Sequence, residues 1–384
     1  MLELCDSTLR EGEQTPGVYF PGHAKLAIAT LLDRLGVHYI EAGRPAVSAE
    51  AGAEVRSLCE MGYRARIACP ASPRTDEVTT ALGCGVQLVG VSCWVAEQRS
   101  RQIHDEPLDQ TLEPIVGVIE LMKKSSPRTM IRLTVEDAVR SPFERVVEAS
   151  LIATQAGADM IGIADTTGCA IPGTEQSLYV LIRRLRERLD ARGCSPRLSV
   201  HCHNDRGLAL VNALDAYRAG VDVVDVSVMG LGERAGIVDL AQCLATLAVD
   251  FSACDMILTE LPELYRMVSK YSGVTIPHNA PIMGKYVFTH CAGVHSHAAI
   301  VDASHYQSLE PAMFGRKMTI SLDHMSGLSS VRHAVEQLEV ELNREQLALV
   351  LSKVKEVGRH NRTVDLEELR HIVTWCLSKD SGSV

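Results

Sequence analysis

The chain has 384 residues, 46% apolar and 22% charged, with a formal net charge of −10. Those values describe a folded protein able to bury a large core, and exclude a disordered chain or a small disulfide-stapled scaffold. The acidic balance argues against a nucleic-acid partner, whose phosphates need a basic face, and against an anionic membrane surface.

Short aliphatic runs recur through the first 230 residues, at 2–5, 38–42, 65–69, 87–92, 130–135, 160–164, 197–202 and 223–228. Runs of this length, rich in Val, Ile and Leu, suit parallel strands covered on both faces. Aromatic residues are only 4%, so the core is aliphatic. Helical periodicity lies between the runs. In 22–35 it is carried by Leu26, Ile28, Ala29, Leu31, Leu32 and Leu35, and in 207–219 by Leu208, Leu210, Val211, Leu214 and Tyr217. Gly36, Gly157 and Gly220 stand where helix-ending glycines lead into the next strand.

Eight strands alternating with helices predict an α/β chain folded as a (β/α)8 TIM barrel. The alternative is a doubly wound open sheet. Asp6, Glu41, Glu136, Asp165 and His203 sit at the C-terminal ends of their runs. A barrel gathers all of those ends at one mouth, whereas an open sheet gathers only a few at a switch point.

Near residue 275 the pattern changes. Gly273, Pro277, Pro281 and Gly284 mark an irregular linker over 271–289. Helical patterns follow at 329–342, 344–356 and 365–377, and 381–384 reads as a frayed end. The expected division is a catalytic barrel over 1–272, then a linker and C-terminal helical extension over 273–384. The twelve cysteines form no C-x-x-C pair. With no signal-peptide pattern and no run of about 18 apolar residues, they read as reduced thiols of a cytoplasmic protein with no membrane span.

The sharpest local signal is His201-Cys202-His203-Asn204-Asp205. Residues i and i+2 of a strand share a face, so both imidazoles point to one side and can share a divalent metal ion. A carboxylate from another strand end must complete the set, and Asp6 and Glu11 follow the first strand. Such a set polarises a carbonyl oxygen. In the same loop, Arg10 beside carboxylates suits an anion or a developing oxyanion. Gly230-Leu231-Gly232-Glu233-Arg234-Ala235 looks like a dinucleotide fingerprint. It follows the eighth strand and carries a Glu that repels pyrophosphate, so it reads instead as a barrel-mouth loop. The segment 290–297 brings His290 and His295, and a neutral His is a good general base. Cys202 and Cys291 have no supporting motif and read as inert thiols.

Taken together, these stretches resemble the acetyl-CoA-dependent Claisen-condensing enzymes, namely the homocitrate, isopropylmalate and citramalate synthases. The matching segments are 6–14 (D-S-T-L-R-E-G-E-Q), 41–48 (E-A-G-R-P-A-V-S), 135–140 (V-E-D-A-V-R), 164–168 (A-D-T-T-G), 201–205, 230–236 and 288–295, in family order. The resemblance implies a barrel with a C-terminal extension that crosses to the partner in a homodimer. It implies acetyl-CoA and a small 2-oxo acid as substrates. It also implies a divalent metal (Mg, Mn or Zn) on Glu11, His201 and His203. Arg10 resembles the catalytic arginine, Arg132 and Thr166 the groups that hold the 2-oxo acid, and Glu136 and His290 the acid/base machinery. Asp6, Glu41, Asp165, Asn204 and His295 are secondary site residues.

Ile237 stands where isopropylmalate synthases carry a metal-binding Asn, as in lysine-pathway homocitrate synthases, and the chain is short for a leucine-sensing domain. The stretch Cys69-Pro70-Ala71-Ser72 lacks the His that reads the distal carboxylate of 2-oxoglutarate in those enzymes. Arg44 replaces a small or apolar residue, and a buried-mouth Arg is costly unless it meets an anion. Arg44 is therefore expected to bind a distal carboxylate or a phosphonate, the latter implying 3-phosphonopyruvate and a 2-phosphonomethylmalate synthase. The alternative for Arg44 is solvent or a pair with Glu41. Other readings are an isopropylmalate- or citramalate-type synthase, a related acyl-CoA lyase and a metabolite-binding scaffold.

Overall fold

The computed structural model describes residues 2–96 and 108–380. They form two compact units, Met1–Ile276 and Pro277–Val384.

In the first unit the strands are β1 (Glu3–Asp6), β2 (Tyr39–Glu41), β3 (Arg66–Pro70), β4 (Leu88–Trp94), β5 (Met130–Glu136), β6 (Met160–Asp165), β7 (Arg197–Cys202) and β8 (Val223–Val226). All neighbours pair in parallel, and β8 pairs back onto β1 with Glu3 opposite Val223. The sheet is a closed eight-stranded barrel with helices between the strands, so the open-sheet alternative is excluded. Every expected strand forms within two residues of its expected bounds. The first helix is Gly22–Leu35, as its periodicity predicts. The helix expected from 207 starts later, at Ala209. Gly207 lies in a left-handed turn (φ 70°), and the Asn204 side chain accepts the Ala209 N–H at 3.2 Å.

Strand alternation sorts the barrel into layers. Cys5, Tyr39, Ala68, Leu88, Met160 and Val223 form one buried cluster, with Met130 packed against it. Tyr39 is fully buried, and its hydroxyl accepts hydrogen bonds from Arg66 and Arg197 at 3.0 and 2.8 Å. This layer floors the barrel. Two residues further along their strands, the same face presents Ser7, Glu41, Gly90, Arg132 and Asp225. The chemistry therefore begins one layer above an apolar floor.

In the second unit the helices Leu328–Glu336, Arg344–Gly358 and Leu366–Asp380 enclose Val331, Val335, Leu347, Val350, Val354, Leu369 and Val373. The first of them stops before the expected 342. Glu339 turns left-handed (φ 57°) and Asn343 then caps the next helix through a reciprocal capping box with Gln346. The expected fraying of 381–384 lies outside the described residues. Among the described residues, no helix is long and apolar enough to cross a membrane.

Candidate functional site

The loop after β1 folds back on itself, the N–H groups of Arg10 and Glu11 both reaching the Ser7 carbonyl at 3.1 and 2.7 Å. That turn aims Arg10 and Glu11 into the barrel mouth. Arg10 Nε donates to Glu41 Oε2 at 2.8 Å, and Nη1 pairs with Glu11. Ser7 Oγ donates to the same Glu41 oxygen at 2.5 Å. The other Glu41 oxygen accepts Arg132 Nη2 at 2.8 Å. Arg132 Nη1 bonds both oxygens of Asp225, at 2.9 and 3.2 Å, and Asp225 Oδ2 lies 3.1 Å from His201 Nδ1. Charges thus alternate along one chain, Arg10–Glu41–Arg132–Asp225–His201. Glu41, Arg132 and Asp225 are buried. Burial alone raises the pKa of both carboxylates. The guanidiniums overcome it, keeping Glu41 below its ordinary value and Asp225 down at about 2.

The far end of that chain is the candidate metal-ligand set. One ligand atom each from Glu11, His201 and His203 falls within 4.8 Å of the others. His201 has Nδ1 committed to Asp225, which leaves Nε2 as its ligand atom, the carboxylate–histidine arrangement common behind bound metals. Burial and the neighbouring His201 push His203 down to about 4, so its imidazole is neutral and ligand-ready. His203 Nδ1 is buried with no hydrogen-bond partner. Two imidazoles and a carboxylate, with one imidazole nitrogen buried and unpartnered, fit a divalent cation.

The loop 230–236 closes against this set. The Glu233 N–H donates to Glu11 Oε1 at 3.0 Å. Arg234 clasps Asp205 at 2.8 and 2.9 Å and the Thr166 carbonyl at 2.7 Å. Gly236 (φ 78°) must be glycine, because a Cβ there would lie 1.7 Å from the Gly230 carbonyl oxygen. The loop is a brace for the metal set, consistent with its expected place at the barrel mouth.

A cavity of about 350 Å³ opens above these groups, lined by Arg10, Glu11, Glu41, Arg44, Arg132, Glu136, Thr166, His201, His203 and Asp225 among others. Thr166 Oγ1 donates to Glu136 at 3.2 Å and accepts the Asp137 N–H at 2.8 Å. Arg44 also lines the cavity, but it is not a buried cation. Its side chain is 42% exposed and pairs with Glu77 at 2.7 Å, not with Glu41, which Arg10 and Arg132 already occupy.

Other expected site residues make their contacts outside this ion chain. Asp6 and Asp165 end β1 and β6 on the opposite parity from the cavity face, and both are buried. Asp6 accepts the Thr8 N–H at 2.9 Å, and Asp165 accepts those of Cys169 and Ala170 at 2.8 and 3.1 Å, so they shape loops. Asn204 caps the next helix. His290 and His295 belong to the second unit, where His290 Nε2 lies 3.2 Å from Gln307 Oε1 and His295 packs on Tyr306. Cys202 is buried, and burial pushes its thiol well above its ordinary pKa. Cys291 is exposed.

Asp6 has a measurable signature. Burial pushes it to about 7. The folded state therefore keeps a proton that the unfolded chain releases near pH 4. Its contribution is fully present below pH 4 and is lost as pH rises to 7. Asp6→Asn is expected to flatten the stability loss between pH 5 and pH 8 by about 2 kcal/mol. Urea unfolding of both proteins at the two pH values checks this, and parallel pH slopes would contradict it.

Sequence reasoning missed Asp225, the link between Arg132 and His201. The signal was a lone acid in Val223-Val224-Asp225-Val226 with the parity of the inner face. Glu77 left no such signal, since its role depends on a contact from 33 residues away.

Residues 1–268 match the family described as HMGL-like, and residues 282–362 match the one described as homocitrate synthase post-HMGL domain-like. The chain is 35% identical over 380 residues to homocitrate synthase AksA of Methanocaldococcus jannaschii, covering 98% of this chain and 91% of that one. It is 35% identical to the homocitrate synthase of Pyrococcus horikoshii, covering 97% of this chain and all of that one. Among solved structures it is similar in fold to the HMG-CoA lyase of Bacillus subtilis (TM-score 0.61, 19% identity, 72% of this chain and 95% of that one). A second is the HMG-CoA lyase of Acinetobacter baumannii (TM-score 0.59, 20% identity, 71% and 92%).

Proposed function

Because the chain belongs to the HMGL-like family and carries a homocitrate synthase-type domain behind its barrel, we propose that it condenses acetyl-CoA with a 2-oxo acid bearing a distal carboxylate, 2-oxoglutarate foremost. It is an acyl-CoA:2-oxo acid acyltransferase in which the acyl group becomes alkyl on transfer. The observation that carries this reading is the convergence of Glu11, His201 and His203 with Arg10 and Arg132 on one cavity.

Glu11, His201 and His203 would hold a divalent cation, which would supply Lewis acidity toward the 2-oxo oxygen. Mg, Mn and Zn all accept such a set. Arg132, whose Nε is buried without a partner, and Thr166 hold the acceptor's 1-carboxylate. Arg10 stabilises the negative charge that grows on the former carbonyl oxygen. Glu136, on the cavity wall, takes a proton from the acetyl methyl group. The electron pair left on that carbon forms the new bond to the acceptor's carbonyl carbon, and the resulting alkoxide is protonated. Water then cleaves the thioester, giving a carboxylate and the free thiol of CoA. His290 is the second acid/base group, supplied in a homodimer that exchanges C-terminal segments. Free thiols, most of them buried or partly buried, support a reducing cytoplasmic setting.

The test is thiol release from acetyl-CoA against 2-oxoglutarate, 3-phosphonopyruvate, oxaloacetate, pyruvate and 2-oxoisovalerate. The highest kcat/KM is expected for 2-oxoglutarate. Release with none of them overturns the proposal, as does cleavage of a hydroxyacyl-CoA without any condensation.

A further inference from the structure

Arg44 follows a tight turn at Gly43, whose φ of 113° favours glycine. The turn sends the Arg44 side chain across to the next strand's loop. There Nε and Nη2 both donate to Glu77 Oε2, at 3.2 and 2.7 Å, and Nη2 also donates to Ser72 Oγ. The same Glu77 oxygen accepts the Ser72 N–H at 3.0 Å. Glu77 lies in the first turn of the helix Thr75–Gly83, and Ser72 in the loop after β3. Neither belongs to the ion chain or the metal set. Two of the three guanidinium nitrogens are thus fixed, while Nη1 makes no hydrogen bond to the described residues. Arg44 and Ser72 both line the cavity.

We infer that Glu77 and Ser72 are positioning residues that clamp Arg44 so that its free Nη1 edge meets the distal carboxylate of the acceptor. The inference rests on the acyltransferase reading of this barrel and deepens it. An unclamped arginine of this exposure samples many rotamers, and fixing one edge prepares the other for a planar carboxylate. Glu77 also sets the charge. Burial raises its pKa, but the Ser72 N–H and Arg44 outweigh that and keep it ionised. The Arg44–Glu77 pair is then close to neutral, so it offers directed donors more than net charge. Such a subsite accommodates a singly charged carboxylate and gives a doubly charged phosphonate little further attraction.

The test compares 2-oxoglutarate with 2-oxopentanoate, which has the same five carbons but no distal charge. The wild type should strongly prefer 2-oxoglutarate. Glu77→Ala should raise KM for 2-oxoglutarate about tenfold, with the loss in KM rather than kcat, and should affect 2-oxopentanoate far less. In an Arg44→Met background, Glu77→Ala should add nothing. Glu77→Gln keeps an acceptor for Arg44 and should restore most of the affinity. Ser72→Ala, which removes one contact only, should raise the same KM about threefold and serves if Glu77→Ala does not fold. Additive effects of Arg44→Met and Glu77→Ala would overturn the clamp, and so would equal losses on both acids. If the wild type condenses acetyl-CoA only with acids lacking a distal charge, the acyltransferase reading stands and the subsite is wrong. If no 2-oxo acid releases CoA, the reading itself is wrong and the clamp falls with it.

Discussion

Arg132→Met is expected to cost about 3–5 kcal/mol of stability and to lower kcat/KM by at least about a thousandfold. The two losses have different origins. Arg132 is the only group bonded to both Glu41 and Asp225 among the described residues, and these carboxylates are 1% and 3% exposed. Removing the cation leaves two buried carboxylates with no cation between them, Glu41 held by Arg10 and Asp225 by His201 alone. Methionine matches the volume but neutralises neither. Arg132→Lys should also fail, because a single ammonium cannot present parallel N–H groups to two separate carboxylates. If the stability loss is electrostatic, Glu41→Gln in the Arg132→Met background recovers part of it without restoring turnover. Urea unfolding and steady-state kinetics on the three variants separate these effects. A loss below about 1 kcal/mol for Arg132→Met would mean that the ion chain contributes little to the fold.

His203→Ala and Glu11→Gln are each expected to reduce bound metal from about one ion per chain to nearly none, with turnover falling about ten-thousandfold. Metal content by elemental analysis checks the first effect independently of activity. Asp225→Asn tests the support behind the site. It keeps the shape but weakens the hold on His201 Nδ1, so metal affinity should fall about 10–100-fold. Full metal occupancy in both His203→Ala and Glu11→Gln would place the ion elsewhere.

The barrel was legible because each parallel strand leaves a continuous aliphatic run, and eight runs separated by helical periodicity leave little other topology. The metal set was legible because His201 and His203 are two apart on a strand and Glu11 follows another. What stayed hidden was of two kinds. Parity was readable but easily overlooked: Asp6 and Asp165 end their strands like Glu41 and Glu136, yet fall on the outer face and bind loop N–H groups instead. Arg44 shows the second kind. Its departure from the family pattern is visible in the sequence, but its partner is set by how the loop after β2 crosses toward the helix after β3. No local pattern encodes that crossing.

The buried floor that includes Tyr39 has a consequence for traffic. A closed barrel has no edges, and one sealed at its base has a single door. Whatever reaches Arg132 must pass the mouth, and product must leave by the same route. A cavity of about 350 Å³ has room for a small diacid, and a much larger second substrate would extend past the mouth. A guest that fills the bottom of the cavity therefore has to enter before anything that blocks the mouth.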